Sequence, residues 1–424
     1  MMATMKFKGW PLLLALGLVF VLQLTVPAQI WTMLFIGLGL LGLIAYIWAR
    51  GLQHGILLVR ERRYTMAQVG DRLEERFTIY RSGYLPALWL ELTDHSTLPG
   101  YQASQVTGLG AHSHTRWRSE SICTRRGIYQ LGPTELDLGD PFGLFAIHQH
   151  YPNRVEFTVA PPIVALPDIQ VASRGHAGEG APRPYSLAPT EPTTTVRPHT
   201  PADSLNRIHW PTSARRESLY VRGLQEPTSG DWWLVLDMDQ AVHSGQDIDS
   251  TLEKGVLIAA SLADRGLTEA QAVGLLAQGR EAVWLPPQST PLQRWRILTA
   301  LARIEAGQLN LADLLTRSNR LIKQNTSLIV ITASTDSDWL NPLLLLKRQG
   351  VVPTTVLVYT EQTRPALEAI YHTLLLQGIR AYLIDQASLS HPTYEDLAGR
   401  WEWRTLGTGR AVAVHRPEGE WEAV

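Results

Sequence analysis

Cysteine is almost missing from this 424-residue chain, in which Cys123 is the only one. A single thiol excludes an intramolecular disulfide framework and a cysteine-based zinc site. Charge is scarce as well, at 18% of residues against about 25% in an ordinary soluble domain. The charges present nearly cancel, with 38 basic and 39 acidic side chains. That balance argues against a whole-chain electrostatic grip on nucleic acid. Three chemical signatures are missing too: the G-x-x-x-x-G-K-S/T phosphate loop, the H-E-x-x-H zinc helix and the nucleophile elbow. Any ATP chemistry would have to come from another protein.

Much of the charge deficit sits near the N-terminus. Trp10 to Val26 and Ile30 to Trp48 carry no charged residue, and only Pro27-Ala28-Gln29 separates them. As helices these runs would be about 26 and 28 Å long, close to a hydrocarbon core of about 30 Å. The pattern predicts a transmembrane helical hairpin over residues 1–50. Trp10, Trp31, Tyr46 and Trp48 fall near the ends, where aromatic rings favour the membrane interface. Lys6 and Lys8 precede the first run, Arg50, Arg60, Arg62 and Arg63 follow the second, and the turn has no basic residue. The positive-inside rule then places both ends in the cytoplasm, giving a multi-pass protein of the cell membrane. Val26-Pro27-Ala28 also resembles a leader cleavage site, in which case the second run and its arginines would act as a stop-transfer segment.

Residues 51–167 read as an all-β, sandwich-like domain. Runs rich in β-formers recur at Arg72 to Tyr80, Ala87 to Thr93, Thr115 to Cys123 and Val155 to Ala160, with turn signals between them. Two H-x-H pairs, His112/His114 and His148/His150, would each share one strand face, but no acidic or cysteine partner stands at ligand spacing. Residues 168–202, rich in Pro, Gly and Thr, read as a linker. From 203 to 424 apolar strands alternate with amphipathic helices, which predicts a doubly wound parallel sheet. In such sheets ligands gather at the carboxyl ends of the strands, and the first strand ends in Asp237-Met238-Asp239.

The densest motif lies just upstream, from Asp203 to Arg222. It holds Asp203, Arg207, His209, Trp210, Ser213, Arg215 and Arg222. Arginine forks suit carboxylates and other anions, so one reading is an interaction surface. A second uses Trp210 for base stacking. A third has Asp203, Arg207, His209 and Arg215 forming an internal polar network that fixes the segment onto the sheet.

This stretch resembles the signature of domain of unknown function family 58. The matching residues are Asp203, Arg207-Ile208-His209-Trp210, Ser213-Ala214-Arg215, Leu219-Tyr220-Val221-Arg222 and Leu236-Asp237. Arg125 to Phe145, with Arg126-Gly127-Ile128-Tyr129-Gln130-Leu131-Gly132-Pro133 and Asp140-Pro141-Phe142-Gly143-Leu144-Phe145, resembles a second segment of the family. Departures are Ala202 for glycine, Pro211 for lysine and Gly223 for an acidic residue. The resemblance implies a von Willebrand factor A-like α/β domain behind a membrane anchor. Such domains often hold Mg²⁺ or a similar cation through Asp-x-Ser-x-Ser, a Thr and a later Asp. Here the first motif reads Asp237-Met238-Asp239-Gln240-Ala241, and Ala333 stands where the later Asp is usual. Only Asp237 and Asp239 remain as metal ligands, so no cofactor is expected and magnesium is the one left open. The resemblance also implies a MoxR-type AAA+ ATPase as partner. The expected function is a non-enzymatic, membrane-anchored interaction or scaffold protein in a cell-envelope or protein-assembly process, contacting the lipid bilayer and no nucleic acid. The alternative is a divalent-metal-dependent hydrolase using Asp237 and Asp239.

Overall fold

The structure is a computed structural model that describes residues 2–167, 169–172, 196–198, 208–222, 231–389, 401–405, 411–415 and 422–423. The chain divides into two compact units. The first spans Met1–Val164 with Leu298–Arg303 and Ser390–Val424, and the second spans Ala165–Ile297 and Ile304–Leu389. Most of the linker read at 168–202 lies outside the described residues.

The first unit opens with a strand that sequence reading does not anticipate, β1 (Met2–Phe7), followed by helices α1 (Trp10–Thr25) and α2 (Gln29–Gln53). α2 is long and apolar enough to cross a membrane, whereas α1 is a shorter apolar helix. Phe20 and Phe35 meet at 6.1 Å between ring centroids, and a Cβ on Gly42 would lie 3.2 Å from Leu12 Cδ2. The strands are β2 (Ile56–Arg62), β3 (Met66–Gln68), β4 (Arg72–Arg81), β5 (Ala87–Asp94), β6 (Gln105–Leu109), β7 (His114–Ile122), β8 (Gly127–Leu131), β9 (Thr134–Gly139), β10 (Phe145–Tyr151) and β11 (Val155–Ala160). One sheet has the order β1-β10-β9-β5-β6, and a second holds β3-β11-β8. A third contains β2, β4 and β7, with a short strand at Glu422–Ala423 on the outer edge of β2. Leu73, Phe77, Leu90, Leu92, Leu131, Leu136, Leu138, Ile147, Phe157 and Val159 form one core to which all three sheets contribute.

α2 does not stop outside that core. Its last turns bury Ala49 and Leu52 among the same residues, and Trp48 Nε1 donates to the Pro86 carbonyl at 3.1 Å. The residue boundary expected at 50 therefore falls inside one packed body. The arginines after α2 are also part of it. Arg60 is buried, its guanidinium forked onto Glu75 at 3.0 and 2.6 Å and onto Asp94 at 2.9 Å. Thr134, Ser96 and the Tyr101 hydroxyl close the network, with Tyr101 donating to Glu75. Burial by itself lowers the Arg60 pKa, but the bonds and charge of Glu75, with Tyr101 and Asp94 behind, raise it above the ordinary value. Burial pushes the Tyr101 hydroxyl up, and the Glu75 charge adds to it. Arg63 pairs with Glu74 at 2.9 Å. Arg60 and Arg63 thus face carboxylates of the β unit, which leaves Lys6, Lys8 and Arg50 as the exposed cations at the helix ends.

The His148/His150 pair also finds partners across strands. His148 bonds Asp137, and His150 Nδ1 lies 3.3 Å from Glu135, as the β9–β10 register dictates. Among the described residues no group of three or more His, Cys, Asp or Glu is arranged to hold a metal ion.

The second unit contains β12 (Val196–Pro198), α3 (Trp210–Arg216), β13 (Tyr220–Arg222), β14 (Trp232–Leu236), α4 (Thr251–Thr268), β15 (Val273–Gln278), β16 (Ala282–Gln288), α5 (Pro291–Arg303, whose last turn belongs to the first unit), α6 (Leu311–Ser318), β17 (Ser327–Thr332), α7 (Leu340–Arg348), β18 (Val352–Tyr359), α8 (Arg364–Leu376) and β19 (Arg380–Asp385). The main sheet runs β16-β15-β14-β17-β18-β19 and is parallel except for the antiparallel edge strand β16, which sequence reading does not contain. It is doubly wound. Trp233 and Val235 of β14 join a core with α6, α7 and α8. Leu236 and Ile331 face the other way, where Gly255 lets α4 approach to a few ångströms.

Candidate functional site

The sheet reverses its winding direction between β14 and β17, the topological switch point at which ligands gather in doubly wound sheets. β14 is wholly buried, and its apolar run delivers Asp237 to that point. Asp237 is 1% exposed. Its Oδ2 accepts a hydrogen bond from the Thr332 hydroxyl at 2.6 Å, and its Oδ1 accepts the Asp239 N–H at 3.1 Å. Thr332 ends β17, and its oxygen also accepts the Ser334 N–H at 2.9 Å. His243 Nε2 sits 3.0 Å from the Asp237 carbonyl, and its Nδ1 sits 3.1 Å from the Thr251 hydroxyl.

Burial raises the Asp237 pKa, and the Thr332 bond, the Asp239 N–H and nearby His243 oppose it. Burial lowers the His243 pKa, against the attraction of Asp237. Asp239 turns outward in an Asx-type turn, its Oδ1 accepting the Ala241 N–H at 3.0 Å. The segment around Gly307 runs beside it, since Gly307 N–H donates to Met238 O at 2.8 Å and Gly307 O accepts from Gln240 at 2.9 Å. A Cβ on Gly307 would lie 2.6 Å from the Gly279 backbone, so this crossing needs glycine.

This donor set is a poor cation cage. Mg²⁺ and Ca²⁺ bind through several oxygens that point freely at the ion. Both Asp237 oxygens instead already accept protein hydrogen bonds, and Ala241 and Ala333 add no ligand. What the arrangement does chemically is fix the ends of two neighbouring strands through one satisfied carboxylate. Sequence reading finds Asp237 and Asp239 but not His243 or Thr251, which lie in a loop and at a helix start without a repeat to mark them.

The arginine-rich motif is partly visible. Asp203 and Arg207 lie outside the described residues. Arg222 stands on β13 opposite Val196. His209 caps α3, its Nδ1 accepting the Thr212 N–H at 3.3 Å. Ser213 is buried, donates to the His209 carbonyl at 3.0 Å and accepts the Tyr220 N–H at 2.9 Å. These bonds close α3 against β13. Ser213→Ala is expected to cost about 1 kcal/mol, because the Tyr220 N–H loses its acceptor; a thermal melt of the full chain in detergent would show it. Trp210 and Arg215 do not join this network. Trp210 is 66% exposed and Arg215 is exposed. Arg216, which sequence reading does not single out, lies over the Tyr220 ring at 5.4 Å.

Comparison with known proteins adds a family. The family described as "Protein of unknown function DUF58" matches residues 195–370. No curated protein matches the chain. Among solved structures, an aerotolerance-related membrane protein from Bacteroides fragilis is similar at 17% identity and a TM-score of 0.25, over 30% of this chain and 67% of that one. The CARDB domain of a Pyrococcus furiosus protein, crystallised with di-metal ions, is similar at 9% identity and a TM-score of 0.19, over 25% of this chain and 94% of that one. A beta-glucosidase from Listeria innocua is similar at 10% identity and a TM-score of 0.16, over 24% of this chain and 16% of that one.

Proposed function

We propose that this chain, whose residues 195–370 place it in the DUF58 family, is a non-enzymatic, membrane-anchored interaction protein. The membrane part rests on uncovered apolar surface. Leu14, Leu18 and Leu24 of α1 and Met33, Ile36, Leu40 and Ile47 of α2 are exposed, a surface that water tolerates poorly and lipid accepts. β1 and the end of α2 both pack into the β unit, which supports reading α1 and α2 as a two-span hairpin that leaves it and returns. Lys6, Lys8 and Arg50 at that root support, by the positive-inside rule, a reading with both ends in the cytoplasm.

The interaction part rests on one observation: the polar groups of the motif split into two sets. His209 and Ser213 are spent on local structure, while Trp210 and Arg215 face solvent on one short helix. Exposed Trp and Arg side chains are the residue types enriched in binding hot spots. The partner we assign is a MoxR-type AAA+ ATPase, which would supply the nucleotide chemistry this chain lacks, in a cell-envelope or protein-assembly process. The sheet order, with its antiparallel edge, fits a von Willebrand factor A-like domain as the presenting scaffold. The hydrolase alternative is weaker because Asp237 is engaged on both oxygens. In a pull-down from detergent extract, the wild-type chain is expected to capture an AAA+ ATPase and the Trp210→Ala/Arg215→Glu double variant to lose it. Equal capture by both would remove α3 from the interface, and repeated absence of any AAA+ ATPase would end the proposal.

A further inference from the structure

We infer that the loop tips at the helix end of the first unit seat in the lipid interface, so that the β unit lies down on the bilayer instead of standing off it. The inference rests on the membrane reading of α1 and α2. Two connections meet the helices there, and a third backs onto one of them. In the β9–β10 turn, Phe145 lies 5.2 Å from Phe7 and 5.8 Å from Tyr46 between ring centroids, and Leu144 O accepts the Lys8 N–H at 2.7 Å. In the β4–β5 loop, Pro86 O accepts from Trp48, and Leu85 Cδ1 lies 3.1 Å from where a Gly51 Cβ would be. The β6–β7 turn follows behind, with the His112 N–H on Gly83 O at 3.2 Å and the His112 ring 4.6 Å from that of Tyr84.

The contacts fix a depth. Tyr46 precedes Arg50 by four residues, which is about 6 Å along a helix. Phe145 touches Tyr46, so the turn reaches below the level of the α2 cation by about the thickness of a headgroup layer. The side chains at the tips suit that level. Tyr84 is 85% exposed, and Leu88, Phe142, Phe7 and Trp10 are exposed as well. Half-apolar aromatic rings and leucines fit the headgroup–acyl boundary, and the exposed Lys6, Lys8 and Arg50 suit anionic headgroups.

The tips are also held rigid, which lowers the entropic cost of insertion. Asp140 is buried and accepts the Phe142 N–H at 2.8 Å and the Phe145 N–H at 2.5 Å. Gly143 takes φ +70°, which closes the turn. Arg81 is buried and donates to Gly51 O and Leu85 O at 3.0 Å each, tying the β4–β5 loop to the carbonyls that end α2. The Asp140-Pro141-Phe142-Gly143-Leu144-Phe145 motif is therefore a clamp that presents Phe142 outward while Phe145 grips the helix root.

The test uses the full chain in vesicles of phosphatidylcholine and phosphatidylglycerol. Cys123 is buried, so a cysteine added at the surface takes a nitroxide label, with the wild-type chain as background control. Labels go to Leu88→Cys, Phe142→Cys, Leu40→Cys in α2 and Ile122→Cys. Ile122 is exposed at the opposite end of β7, about 26 Å from His114 along the strand. Oxygen and a water-soluble nickel chelate then compete to relax each label. Leu88→Cys and Phe142→Cys are expected to lose nickel accessibility relative to Ile122→Cys and to gain oxygen accessibility. If Leu40→Cys is lipid-exposed while both tip labels match Ile122→Cys, the tips face water, a site for a protein partner, and the inference is overturned with the anchor intact. If Leu40→Cys itself is nickel-accessible, the membrane reading fails and takes the inference with it.

Discussion

Replacing Arg60 by alanine is expected to destabilise the first unit by about 3–5 kcal/mol, because two buried carboxylates then face each other without their cation. Arg60 touches Glu75 on β4, Asp94 on β5 and Thr134 on β9 together. Its guanidinium also lies 5.1 Å over the Phe77 ring in the middle of the core. A water-filled hole in its place cannot restore those bonds to charged groups. Arg60→Lys keeps the charge but loses the fork, so it should fall between wild type and Arg60→Ala. Urea unfolding of the full chain in detergent, followed by near-ultraviolet circular dichroism, gives the comparison. A midpoint for Arg60→Ala within error of wild type would show that the network adds nothing to stability.

Arg60 also shows where sequence reading stops. Counted by distance from α2, it looks like a membrane-flanking charge. The residues that neutralise it are 15 and 34 positions away, and only the fold brings them together. Elements whose cause is local were legible. Val155–Ala160 and Arg364–Leu376 stand where β-branched content and helical period put them. The start of α4 has a local cause too, since Ser250 and Glu253 form a capping pair in which Ser250 Oγ accepts the Glu253 N–H at 3.1 Å. Edge strands were the main losses. β16 carries Pro286-Pro287, which only an edge tolerates, and β1 is six residues whose strand state depends on pairing with the distant β10. At the site, the acids at the end of β14 were legible because a buried run must end at a sheet edge. The role of Thr332 was not, since its partner is set by the β14–β17 register.

Thr332→Val is expected to cost about 1.5–3 kcal/mol at neutral pH, the worth of a buried hydrogen bond to a charged group. The pH dependence gives the mechanism. Burial raises the Asp237 pKa above 3.8, so folding holds that proton more tightly than the unfolded chain does. A raised group contributes stability that is present below the unfolded value and lost as pH rises through the folded one. The Thr332 hydroxyl works against that loss by stabilising the carboxylate. Without it the folded pKa climbs further and the loss with rising pH becomes larger, so Thr332→Val should be mild near pH 4 and severe near pH 8. Asp237→Asn has no proton to lose and should flatten this limb. It leaves the His243 limb, whose depressed pKa gives stability present above 6.5 and lost as pH falls through the folded value. Equal destabilisation by Thr332→Val at pH 4 and pH 8 would show that the bond does not serve the ionised form. Asp237→Asn also separates the two functional readings. A carboxylate that only joins two strands can become an amide without loss of AAA+ ATPase capture, whereas a metal-dependent hydrolase would lose its first ligand and its activity together.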